Sequence, residues 1–198
     1  MDLIFILEIV GTIAFAVSGA YTAIVKEMDI FGVAVLGMTT AVGGGIIRDL
    51  ILGITPPMAF QNPIYALLSI IVSLGVFISR KRRIRSSENI ILLIMDTIGL
   101  GVFTIVGVRA SMPFDNIFLS VFVGSLTGVG GGVLRDIFAG NKPSVFIKHF
   151  YASASLIGAL LMTLLWNLNQ NISMFVGAVS VIVLRLLAAH YKWSLPKA

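Results

Sequence analysis

The chain has 198 residues, of which 58% are hydrophobic and 12% charged, and its mean hydropathy is +1.02. Soluble domains carry about a quarter charged residues, so this composition excludes a water-soluble enzyme and makes the bilayer the expected solvent. The formal net charge is +5 and there is no cysteine, which excludes disulfides and thiolate metal sites without fixing a compartment.

About 20 apolar residues cross the roughly 30 Å of bilayer hydrocarbon. Seven stretches are predicted as such helices: residues 3 to 25, 30 to 53, 63 to 79, 89 to 110, 116 to 139, 148 to 168 and 173 to 191. The first lacks the basic start of a secretory signal, opening on Asp2 and carrying Glu8 inside the apolar run, so it reads as a true span. The predicted fold class is an all-α membrane protein forming one transmembrane domain over residues 1–198.

Lys and Arg in short connections stay on the cytoplasmic side. The run "SRKRRIRSSE", residues 79 to 88, falls between the third and fourth spans, and Lys26, Lys142, Lys148, Lys192 and Lys197 fall on the same side of an alternating topology. The other side holds only Arg109. The N-terminus is therefore expected outside and the C-terminus in the cytoplasm. A nucleic-acid patch is set aside because the basic run sits between two spans with no basic domain around it.

The chain repeats itself. "LEIVGTIAFAVSGA" (7 to 20) aligns with "MDTIGLGVFTIVGV" (95 to 108), placing Glu8 on Asp96, Gly11 on Gly99, Phe15 on Phe103 and Gly19 on Gly107. One residue closer, "GGGIIRD" puts Gly43, Gly44, Gly45, Arg48 and Asp49 on Gly130, Gly131, Gly132, Arg135 and Asp136 of "GGGVLRD". Pro56 falls on Pro143, and Tyr65 near Tyr151. Each unit has three spans, an odd number, so residues 1–79 and 89–168 are expected as an inverted pair, with residues 173–191 appended as a seventh helix. Sites of such repeats lie near the bilayer midplane and commonly use discontinuous helices.

Glycine in a helix interior costs roughly 1 kcal/mol relative to alanine, and a freed backbone group in a bilayer needs protein or cavity water as partner. Gly11, Gly19, Gly99 and Gly107 read as close-approach glycines. For the two triplets the adjoining charges favour an opened backbone lining a pathway, because intramembrane Arg, Asp and Glu default to function. Depth counted at about 1.5 Å per residue brings Glu8 level with Arg48 on the outer side, and Asp96 level with Arg135 on the inner. Two charged constrictions around a glycine-lined centre are therefore expected. Glu8, Arg48, Asp49, Asp96, Arg135 and Asp136 together carry a net charge of −2, which favours a cation over an anion.

Arg185 and Arg109 are expected to snorkel from span ends, and His149 and His190 to lie at the interface. Trp166, Trp193, Tyr21, Tyr151 and Tyr191 read as an aromatic belt. Neither glycine run fits a nucleotide fingerprint: no Gly-Lys-Ser/Thr follows, and Val133 breaks the G-x-G-x-x-G spacing. No nucleophile with a base assembles from spacing, so no enzyme, metal or cofactor is expected.

Two GGG-x-x-RD motifs in the second and fifth of seven helices, with an acid in the first and fourth, resemble the prokaryotic branch of the trimeric intracellular cation channel (TRIC) family across the whole chain. The resemblance implies a homotrimer in a prokaryotic inner membrane, surrounded by lipid. Each protomer would carry an hourglass pore bent at the glycines and pass monovalent cations such as K⁺. Animal members use a lysine-containing motif and a phosphoinositide, whereas Arg48 and Arg135 followed by Asp stand here, so lipid control does not carry over. Bacterial sequences of this kind are also classed as glycine transporters. That implies a carrier whose half-helix ends would hold a zwitterion while the two units rock. A helix-packing or assembly protein is a third reading.

Overall fold

A computed structural model describes residues 3–79, 88–147 and 150–193. The basic residues of the run from Arg80 to Arg85, together with Lys148, His149 and Lys197, lie outside the described residues. Nine α-helices and one short 3₁₀ turn occur among the described residues, and no strand. They are α1 (Leu3–Val25), α2 (Ile30–Ile51), α3 (Met58–Gln61), α4 (Ile64–Ser79), α5 (Glu88–Ser111), α6 (Ile117–Phe138), α7 (Ser144–Ile147), α8 (Tyr151–Leu165) and α9 (Gln170–His190). Five of them, α1, α2, α5, α6 and α9, are long and apolar enough to cross a membrane. Helices α4 and α8, with 16 and 15 residues, stand where the third and sixth spans are expected, each preceded by a four-residue helix that the sequence reading does not anticipate.

Local chemistry sets the ends. Asp29, Asn116 and Asn169 cap α2, α6 and α9 by accepting from Gly32 N, Leu119 N and Ile172 N at 2.7, 3.0 and 3.1 Å. Helices α2 and α6 terminate alike, with Gly53 and Gly140 at φ of 72° and 68°. Ile54 N and Asn141 N reach back to the Asp49 and Asp136 carbonyls at 2.8 Å, which is the glycine-dependent closure of a helix C-terminus.

Burial is inverted relative to a soluble protein. Large apolar side chains such as Phe31, Phe118, Ile71 and Phe175 point outward, while Ser18, Thr40, Ser73, Thr104, Ser155 and Ser173 are fully buried. Small and hydroxyl residues at helix contacts with an apolar exterior are what packing in lipid favours. Several buried hydroxyls are satisfied within their own helix: Thr40 and Thr127 donate to the Leu36 and Val123 carbonyls at 2.6 Å.

Helix α5 packs against α1, α6, α8 and α9, and α2 against α1, α4 and α6. Contacts in one half recur in the other. The Phe15 ring lies on Gly99 and the Phe103 ring on Gly11, and the two rings meet at 5.3 Å between centroids. Gly44 faces the Thr127 carbonyl and Gly131 faces the Thr40 carbonyl. These pairings advance along one helix as they retreat along the other, so α1 runs antiparallel to α5 and α2 antiparallel to α6.

The triplets do not open their helices. Both α2 and α6 are assigned as unbroken helix through residues 43–45 and 130–132. A methyl group built on Gly130 would come within 3.1 Å of Gly44 Cα, and one on Gly44 within 3.2 Å of Gly131 N. Gly44, Gly130 and Gly131 thus form a close crossing of the two helix backbones, whereas Gly43 faces the Leu134 side chain, Gly132 the Tyr151 hydroxyl and Gly45 only Arg48 of its own helix. Glycine faces opposite each other allow this contact without interrupting either helix, which hydrocarbon favours over a freed N–H.

Candidate functional site

The antiparallel crossing sends Arg48 and Arg135 to opposite ends, and a charged cluster forms at each. At the first, Arg48 Nε donates to Asp49 Oδ1 at 2.8 Å and Arg48 Nη2 lies 2.7 Å from the same oxygen. The other carboxylate oxygen of Asp49 accepts from Met58 N at 2.8 Å, which ties α3 to the end of α2. Glu8 accepts from the Tyr65 hydroxyl. Glu8, Thr12, Gly45, Arg48, Asp49 and Tyr65 are among the residues around a cavity in which water-molecule centres can occupy about 40 Å³.

The expected Glu8–Arg48 ion pair is absent among the described residues. Asp49 engages both Nε and Nη2 of Arg48, and Tyr65 supplies the donor for Glu8.

At the second cluster Arg135 is a hub. Its Nη1 pairs with Asp96 and donates to Ser18 Oγ, and Nε and Nη2 both reach Asp136 Oδ1 at 2.9 Å. The other oxygen of Asp136 accepts from Ser144 N at 2.7 Å, which fixes the start of α7 as Asp49 fixes α3. The Tyr151 hydroxyl donates to Asp96 at 3.2 Å. A charged group in the membrane interior is tolerated when paired, and every carboxylate and guanidinium of this hub is. In front of it opens a cavity of about 420 Å³ whose lining includes Tyr21, Thr22, Lys26, Arg135, Asp136 and Lys142.

Three further expectations change. Arg185 does not snorkel: it is 4% exposed, and its guanidinium carbon lies 5.0 Å from the centroid of the Tyr151 ring. Counting it, the second cluster is neutral, and the excess negative charge belongs to the first cluster, with Glu8 and Asp49 against Arg48. Tyr151 and Tyr21 are not belt residues, being buried at 2% and 8% exposure. By contrast Arg109 is exposed and stacks on Trp166 at 5.2 Å, and Tyr191 and Trp193 are exposed, as interfacial residues should be. The sequence reading missed Ser18, Arg185 and the ligating roles of Tyr65 and Tyr151. The alignment of the two tyrosines with each other, each in the third long helix of a half whose first carries the aligned acid, is the signal that marks the last two.

A family model described as glycine transporter matches residues 5–81 and 93–167, the same model fitting both halves and leaving α9 outside. The UPF0126 membrane protein YvgT of Bacillus subtilis is 37% identical over 195 residues, covering 96% of this chain and 94% of its own. The UPF0126 inner membrane protein YadS of Escherichia coli is 34% identical over 198 residues, covering 98% and 95%. Among solved structures, the TRIC trimeric intracellular cation channel orthologue from Rhodobacter sphaeroides superposes with a TM-score of 0.91 at 30% identity, over 97% of this chain and 100% of that one. These relatives are membrane proteins and a channel, not enzymes, and the present chain is a multi-pass protein of the bacterial inner membrane. The chain belongs to the glycine-transporter family of bacterial UPF0126 membrane proteins, which shares its fold with the prokaryotic TRIC channels.

Proposed function

We propose that the protein is a cation channel with one path per protomer, permeable to K⁺ and other monovalent cations. Ions enter at the cavity beside Glu8 and Asp49, pass along the α2–α6 crossing, and leave through the larger cavity beside Asp136. The observation that carries this reading is the pair of equivalent charged clusters, each fronted by a cavity, at opposite ends of one antiparallel crossing. Arg48 and Arg135 act as gates, Asp49 and Asp136 hold them, and Glu8 and Asp96 are the acids an ion meets at each constriction. Gly45 and Gly132 stand beside these groups, leaving room for the Arg48 guanidinium and the Tyr151 hydroxyl. Net negative charge at the first cluster favours cations.

The same reading takes α4 and α8 as crossings together with their leading short helices, giving seven. Residues 1–79 and 89–168 form an inverted pair with α9 appended, the N-terminus is outside, and the assembly is a homotrimer in lipid. Its support is the antiparallel packing of equivalent helices, the twofold match of one family model and the trimeric relative. No cofactor is required.

Planar-bilayer recording on purified protein in KCl tests the channel reading. Unitary current steps are expected. Saturable uptake of radiolabelled glycine into proteoliposomes, with no such steps, would replace the channel by a carrier.

A further inference from the structure

The two clusters are equivalent in their Arg, their Asp and their Tyr–acid bond, but among the described residues a side chain of α9 stacks on the tyrosine of the second alone. Arg185 reaches from α9 onto the face of Tyr151. Tyr151 in turn donates to the Asp96 oxygen that pairs with Arg135. At the other cluster Tyr65 is half-buried, and among the described residues no cation stacks on its ring. The helix supplying Arg185 also lies beyond both segments that the family model matches, so its contact has no counterpart in the first half. An arginine placed this deep in an apolar helix is costly unless it serves a partner or a pathway.

We infer that α9 is a latch on the second constriction: Arg185 is a positioning residue that, by holding Tyr151 against Asp96, keeps the Arg135–Asp96 bridge closed. The inference rests on the reading of this bridge as a gate. Its consequence is functional asymmetry. The first constriction opens without resistance from outside its own unit, and the latched second one limits passage. A cation over an aromatic ring in a desolvated site contributes enough to change an opening equilibrium about 2- to 30-fold. With Tyr151 as the relay, loss of Arg185 and loss of the Tyr151 hydroxyl should act on the same step.

The test uses the full chain and two readouts. In planar bilayers, Arg185→Gln and Tyr151→Phe are each expected to raise open probability about 2- to 30-fold. The double variant should add little to either, and Arg185→Lys, which keeps a cation over the ring, should lie closer to wild type than Arg185→Gln. The second readout needs no current. The chain has no cysteine, so Thr12→Cys places a single thiol at the first cavity. Inverted vesicles in nitrate buffer are exposed to Ag⁺ at the face of the second cavity, and protection of the introduced thiol from later maleimide labelling is timed. Arg185→Gln and Tyr151→Phe should speed protection by the same factor as they raise opening.

Unchanged Ag⁺ access in both variants, each eluting as a monodisperse folded protein, overturns the latch, as does Arg185→Lys behaving like Arg185→Gln. Should Arg185→Gln fail to fold, unchanged access in Tyr151→Phe is enough to overturn it. Faster Ag⁺ access in the variants without unitary currents in any of them keeps the latch and removes the channel reading. Currents with unchanged variants do the reverse.

Discussion

Replacing Gly44 by alanine would drive a methyl group into the Thr127 carbonyl oxygen, and the same change at Gly131 would meet the Thr40 carbonyl and the Phe15 ring at 2.9 Å. Neither carbonyl can rotate away, because each belongs to helix backbone. Overpacking a rigid contact costs about 1–3 kcal/mol, and the roughly 1 kcal/mol gain in helix propensity offsets only part of the upper range. A net loss of about 2 kcal/mol corresponds to a fall in melting temperature of about 4–8 °C for a chain of this size. Gly45 supplies the internal control. A methyl group there would find Arg48 Nη2 at 3.8 Å as its nearest neighbour, so Gly45→Ala should be neutral or stabilising by up to about 1 kcal/mol. Thermal unfolding of the three variants in detergent, followed by size-exclusion fluorescence, reads the difference. If Gly45→Ala destabilises as much as Gly44→Ala and Gly131→Ala, the triplets act as a flexible unit and the close-crossing account is wrong.

Other perturbations follow the same geometry. Arg135→Gln removes the charge partner of Asp96, leaving it the Tyr151 hydroxyl, and should cost about 3–5 kcal/mol, the usual penalty for breaking a buried pair. Arg48→Gln should cost clearly less, because Asp49 keeps its bond from Met58 N and the site is open to a cavity; denaturation of the pair side by side distinguishes them. Gly53→Ala and Gly140→Ala force a side chain to φ near 70° and should each lose about 1–2 kcal/mol; equal stability to wild type would argue against the helix ends as drawn. Glu8→Gln should lower single-channel conductance at low salt and converge on wild type at high salt, since an acidic ring acts by local concentration of cations; a decrease independent of salt would point to a blocked path instead. Chemical crosslinking in membranes should yield a ladder ending at three subunits, and a ladder ending at two would contradict the proposed homotrimer.

The five long apolar helices and the buried charged motif were readable because each is written in hydrophobic length or the cost of a charge in oil. Pairing of Asp96 with Arg135 was readable from depth alone, since both lie inside long regular helices. Glu8 with Arg48, level by the same count, was not, because depth carries no azimuth and the Glu8 carboxylate accepts from the Tyr65 hydroxyl instead. The triplets were ambiguous for a different reason. Missing side chains permit either an opened backbone or a close crossing, and the choice depends on what stands opposite, which for Gly44 is the backbone at Thr127, Gly130 and Gly131. Arg185 shows the same limit for a single residue: sequence gives its depth along α9 but not its azimuth, and azimuth puts it on Tyr151 instead of in lipid headgroups. Helices α3 and α7 are too short to carry a period, and they form where Asp49 and Asp136 supply acceptors for their first N–H groups.

The reversal potential of single-channel current across a KCl gradient bears most directly on the central claim, that cations cross each protomer between its two charged clusters. A reversal potential near the K⁺ equilibrium value, shifted toward zero by Glu8→Gln, is the expected result. Unitary currents that reverse at the Cl⁻ value, or that are indifferent to Glu8, would contradict it.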